Sequence, residues 1–170
     1  MSAALVLAAA ATACSGDDSG GSDAKKYTVP ESLCGVAVDP TLVKALLPGG
    51  DALTSAAAKP NGGTQRCDVS VDGKEALRLS QTWWASSESA TTVAKGYAGL
   101  DDGTASDDGR FVHAGTGGVG EAASCTSSKH PEQKLYAVVQ VLASGIDDED
   151  GVEKLVTDYT KGVEQSAACG

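Results

Sequence analysis

Four cysteines restrict what this chain can fold into more than any other residues. They are Cys34, Cys67, Cys125 and Cys169, left once Cys14, which ends an apolar leader, is set aside. An even cysteine count in an exported chain reads as a disulfide framework. No Cys-x-x-Cys pair occurs, which argues against a zinc site or thioredoxin-type chemistry. Four cysteines allow three pairings. Cys34–Cys67 with Cys125–Cys169 is the favoured one, because each bridge then ties a segment beside a helix to a strand. Each would close a loop of tens of residues and stabilise the fold by ~4 kcal/mol in the chain-entropy picture. That is a large part of a typical folding stability of ~5–15 kcal/mol. Composition shows why such help matters. Aromatic residues make up 4% of the chain, with a single Phe, so the core must be built of Val, Leu and Ala. Those side chains bury less area apiece than rings do.

Cys14 follows the uncharged run Ala3–Ala13 and precedes a tract of Ser, Gly and Asp. This arrangement resembles a bacterial lipoprotein signal. Residues 1–13 are then the signal peptide and 14–26 the lipidated cysteine with a flexible tether. Residues 27–170 are a single globular α+β domain. The run is too short to span a bilayer, which takes ~20 apolar residues. A diacylglyceryl group on Cys14 would supply the two chains that stable anchoring needs. Two features depart from the pattern: Ala11 stands where such signals usually carry Leu, and no Lys or Arg precedes the apolar run. The second reads as a start placed downstream of a basic segment. The expected location is the extracytoplasmic face of the cell membrane.

Net charge is −10, which repels phosphate backbones and makes nucleic acid a poor partner. The motifs that suggest chemistry dissolve on inspection. Gly115-Thr116-Gly117-Gly118-Val119-Gly120 fits G-x-G-x-x-G, yet no helix-forming run follows, so it reads as a glycine-rich turn. Ser22-x-x-Lys25 lies in the tether and lacks its companion motifs. The acidic runs 101–108 and 147–150 lack EF-hand spacing. His113 and His130 are the only histidines, one on a strand and one in a Lys-His-Pro turn. No catalytic residue, metal or cofactor is expected.

Periodicity supplies the elements. Asp39-Pro40 opens a helix with Leu42, Val43, Leu46 and Leu47 as its stripe, and Pro48-Gly49-Gly50 stops it. The stretch to Thr64 reads as loop. Cys67, Val69 and Val71 alternate with polar residues, Asp72-Gly73 marks a hairpin, and Leu77, Leu79 and Trp83 return. Parity favours a three-residue turn, Val71-Asp72-Gly73, pairing Val69 with Glu75 and Cys67 with Leu77, with Gly73 left-handed in a bulge. Ser86 or Ser87 caps a helix through about Ala98. Strands follow at Arg110–Ala114 and around Ala122–Ser127. Leu135–Ala143, apolar on both faces except at Gln140, is the central strand. The acidic run 147–150 caps a last helix striped by Val152, Leu155, Val156, Tyr159 and Val163. The expected fold is α+β: an antiparallel sheet of about five strands with helices packed on it, disulfide-stapled.

Trp83 and Trp84 must face opposite ways on a strand. Trp83 joins Leu77 and Leu79 in the core. Trp84 shares the polar face with Arg78, Ser80 and Thr82 and is the candidate ligand contact, unless the following helix folds back over it.

Leu33-Cys34-Gly35, the helix ending Ala45-Leu46-Leu47, Arg66-Cys67-Asp68 opening a hairpin, Gly117–Ala123, and the closing strand, acidic turn and helix over 135–166 are similar to a family of uncharacterised actinobacterial secreted lipoproteins. The resemblance covers most of residues 31–166. It implies a location and an α+β fold and no reaction. The expected function is therefore a membrane-anchored, non-catalytic binding or accessory module of the cell envelope. Its partner would be an envelope protein, a glycolipid or a small ligand. A small-ligand sensor or transport accessory domain comes next, and a secreted hydrolase third.

Overall fold

The computed structural model describes residues 24–169. The leader, Cys14 and most of the segment read as a tether lie outside the described residues. The described chain is α+β, built on one seven-stranded antiparallel sheet. A small hairpin of β1 (Ser32–Leu33) and β2 (Val36–Ala37) leads into α1 (Pro40–Ala45). Strands β3 (Leu53–Asn61), β4 (Thr64–Val71) and β5 (Lys74–Ala85) then form a meander. Helix α2 (Ala90–Ala94) precedes β6 (Thr104–Ala105), β7 (Phe111–Ala114), β8 (Gly117–Glu121) and β9 (Gln133–Val141). Helix α3 (Glu149–Glu164) and a single 3-10 turn, Ala167–Cys169, finish it. The sheet runs β3-β4-β5-β9-β8-β7-β6, with β9 in the middle as its two-sided apolar pattern requires. Among the described residues no helix is long and apolar enough to cross a membrane.

The sheet is larger than the five strands expected, and the two additions are its two edges, β3 and β6. Strand β3 reads LTSAAAKPN, with small side chains exposed on both faces, so no alternation betrays it. The body also reaches back into the segment read as tether. Lys25 bridges to Gly50, and its ammonium donates to the carbonyl of Lys44 at 2.7 Å.

One face of the sheet carries the main core. Val69, Leu77, Leu79, Val139 and their neighbours meet α3 through Val152, Leu155, Val156 and Tyr159, and meet Val43, Leu46 and Leu47 from the α1 region. Helix α3 is held at its start as the sequence implies, with Asp148 Oδ1 accepting the Gly151 N–H at 2.9 Å. Asp39 caps α1 in the same way, through the Thr41 N–H at 2.7 Å. A smaller cluster on the opposite face gathers Val93 and Ala94 of α2 with Leu100, Val119, Tyr136 and Val138.

Both bridges pair as favoured, Cys34 with Cys67 and Cys125 with Cys169. Cys34 sits in the β1–β2 turn and fastens it to β4. Cys125 follows β8 and fastens it to the turn after α3, so it lies in a loop and not on the expected strand.

Three local expectations are corrected. The β4–β5 turn has two residues, Asp72 (φ 49°) and Gly73 (φ 77°), and not three. Val71 pairs with Lys74, Val69 with Leu77 and Cys67 with Leu79. An irregularity beside Ala76 inserts one residue, so Ala76 and Leu77 are both buried and the apolar faces regain their parity. The short turn keeps the twist that an Asp-Gly pair favours, and the bulge corrects the register. Next, the third strand is the glycine run itself, Gly117–Glu121, and not Ala122–Ser127. Helix α3 and β7 press on it so closely that a Cβ on Gly118 would meet Val156, and one on Gly120 would meet Thr160 and Phe111. Finally, α2 is one short helix capped by Ser89, not by Ser86 or Ser87, and ends at Ala94.

Candidate functional site

Helix α2 covers only the β9–β8–β7 half of the second sheet face. Toward β5, β4 and β3 that face stays open, and a cleft of about 560 Å³ lies over it. The register decides the floor. Thr64 pairs with Thr82, Arg66 with Ser80, and Arg78 with Gln140, so these side chains share one face. Trp84, Gly96, Tyr97 and Ala98 form one wall, and Pro60, Asn61 and Gly63 of the β3–β4 turn form the other.

Polar contacts organise the floor. Asp68 stands between the two arginines, accepting Arg66 Nε at 3.0 Å and Arg78 Nε at 3.0 Å. Glu75 takes the Arg78 Nη2. Burial pushes the Asp68 carboxyl up, but hydrogen bonding and the charges of Arg78 and Arg66 outweigh it and hold the group below the ordinary carboxylate range. Arg78 is the mirror image. Burial works against its charge, and Asp68 with Glu75 more than restores it. Thr64 and Thr82 share a hydrogen bond between their hydroxyls at 3.0 Å. Burial raises the Tyr97 phenol, while a hydrogen bond with Thr82 pulls the other way. The cleft therefore offers hydroxyls and amides on a floor whose charges are already paired, beside two aromatic rings.

Trp84 faces this cleft with Arg78, Ser80 and Thr82, as strand alternation requires. The chain after it also packs against it. Its indole is so close to Gly96 that a Cβ there would stand 3.3 Å from Cη2. Trp84 is half-buried, so the helix leans on it without sealing it. Trp83 is on the core-facing side but not within the core. It lies half-buried at the end of β5, where its ring stacks on His130. His130 Nδ1 is 2.6 Å from Gln133 Oε1. His113 lies on β7 with Glu149 Oε1 3.2 Å from its Nδ1, though not in hydrogen-bonding geometry. Neither histidine lines the cleft. Among the described residues no group of three or more His, Cys, Asp or Glu side chains is placed to hold a metal ion.

Sequence reasoning singled out Trp84 and its face but missed Arg66, Tyr97, Asn61 and Gln140 as part of one site. Gln140 interrupts the otherwise apolar run LYAVVQVLA. Its pairing with Arg78 explains the exception, since that position faces the open cleft. Asn61 carries no signal in the sequence, because β3 lacks the alternation that marks a strand.

No family model, curated protein or solved structure matches the chain.

Proposed function

We propose that this chain is a non-catalytic binding module of the cell envelope, held at the membrane's outer face by lipid on Cys14. The open polar half of the sheet is its binding face. The cleft carries this reading: a preformed hollow of about 560 Å³ whose floor comes from adjacent strands and whose wall holds Trp84 and Tyr97. Its volume lies within the ~300–1,000 Å³ usual for ligand sites. Strands fix the floor residues more rigidly than loops would, which suits recognition. The two disulfides suit an oxidising compartment outside the cytoplasm. The kinship to actinobacterial lipoproteins belongs to the same proposal. The cleft beside Trp84 is open and polar, which favours an exposed envelope component over capture of an apolar small molecule.

The test is to extract the native protein in detergent and identify by mass spectrometry what copurifies, for wild type and Trp84→Ala. The expected result is a molecule retained by wild type and lost from the variant, with both disulfides intact in each. Equal retention by both forms would remove Trp84's face from consideration.

A further inference from the structure

We infer that the ligand of this cleft is a neutral saccharide, an inference that rests on the binding face proposed above. The charge pattern decides first. The floor holds two of the chain's three arginines, yet Asp68 and Glu75 already engage them, so the four groups together carry no net charge. Asp68 takes only the Nε of each guanidinium and Glu75 the Arg78 Nη2, but the charge of the cluster is already balanced and the chain's net charge is −10, so an anion gains little there. A cation finds no carboxylate among the residues lining the cleft. A neutral ligand needs neither.

Hydrogen-bonding capacity decides next. Ser80 brings a hydroxyl and Gln140 an amide that donate and accept. Thr64 and Thr82 keep one further hydrogen bond each beside the one they share, and on the wall Asn61, whose Oδ1 takes the Gly63 N–H, keeps its amide NH2. Such a floor matches a ligand with many hydroxyls in fixed array. The wall adds Trp84 and Tyr97, rings with an apolar body and a polar rim. A sugar ring has this double character, a C–H face for an aromatic ring and hydroxyl edges for polar side chains. A lipid tail has no such polar edge.

The experiment is a titration of the full-length, isotope-labelled protein followed by amide chemical shifts. The neutral probes are trisaccharides of glucose, mannose, galactose and N-acetylglucosamine. Inorganic phosphate and glucuronate are the anionic probes. The expected result is that at least one neutral trisaccharide shifts amides of 64–66, 78–84 and 96–98. Trp84→Ala should weaken that binding at least tenfold, and Gln140→Ala severalfold. Shifts at the cleft from the anions alone would overturn the saccharide assignment and leave the binding face standing. Shifts from neutral sugars mapping elsewhere would overturn it too. If no probe moves the cleft while a native molecule still copurifies in a Trp84-dependent way, the ligand class is wrong and the face is right. If both experiments fail, the face itself is wrong.

Discussion

Trp83 and His130 lie face to face, their ring centroids 4.6 Å apart and their planes within 9°. The contact pins the turn around residues 127–130 onto the end of β5, while Trp84 next to it looks into the cleft on the opposite face. His130→Ala should cost about 0.5–1.5 kcal/mol, the usual worth of an aromatic pair beyond its buried area. Urea unfolding measures it, with an unchanged slope showing that the fold persists. Stability equal to wild type would mean that the stack contributes nothing.

Gly73 supports a second prediction. It has φ 77° and nothing within 4 Å of the place a Cβ would occupy, so a methyl group meets no obstacle. Any loss in Gly73→Ala is then backbone strain, expected at ~1–2 kcal/mol. Asp72 beside it accepts the N–H groups of Asp51 and Ala52, the latter at 2.8 Å. Asp72→Ala should therefore destabilise the link between the hairpin and β3, seen as faster amide exchange at Asp51 and Ala52.

Alternation made the central sheet legible. Cys67, Val69, Val71, Leu77 and Leu79 fall on odd positions and Arg66, Asp68, Ser70, Arg78, Ser80 and Thr82 on even ones, which places both the core and Trp84's face. Sequence reasoning failed where side chains are too small to carry a pattern. Strand β3 is mostly Thr, Ser and Ala, and β8 is mostly glycine. Glycine weakens a strand in isolation, yet β8 needs it because α3 sits directly on Gly118 and Gly120. Such a requirement belongs to a contact between distant segments and leaves no local trace. The hairpin shows the same limit. Parity demanded one extra residue, and the sequence did not say whether the turn or the strand would hold it.

Asp68 gives stability an acid limit. Its carboxyl is held below the ordinary value in the folded chain. A depressed carboxylate stabilises the fold above its unfolded pKa of ~3.9, and that contribution fades as pH falls through the folded value. Wild type should exceed Asp68→Asn in stability at neutral pH, and the gap should close below about pH 4. Thermal unfolding from about pH 2.5 to about pH 7 would show it. A gap that stays constant would assign the effect to lost packing.

The two bridges should appear in non-reducing peptide maps as Cys34 with Cys67 and Cys125 with Cys169. Removing the second, by replacing both of its cysteines with Ser, should lower stability by ~4 kcal/mol in the chain-entropy picture. A loss below about 1 kcal/mol would show that α3 is seated without its covalent tie.

Cys14→Ser should move the protein from the membrane fraction to the medium, or leave an uncleaved precursor, with both disulfides formed as in wild type. Fractionation of cells expressing each form measures this, from a gene carrying a basic segment ahead of Met1. Equal membrane retention of a Cys14→Ser form that is cleaved as wild type is would rule out lipid on Cys14.

The Cys34–Cys67 bridge also sets how the protein bears load. A pull on the N-terminal end meets the Lys25–Gly50 bridge and the buried side chains of Tyr27, Val29 and Leu33 before it reaches Cys34. At Cys34 the force passes through sulfur into β4, a strand clasped on both sides by β3 and β5. Unzipping from that end stops there, and further extension must tear two ladders of hydrogen bonds at once. A domain hung by its N-terminus would thus yield at most a short, defined length of chain and then hold at β4, the strand that also carries Thr64 and Arg66 of the cleft floor.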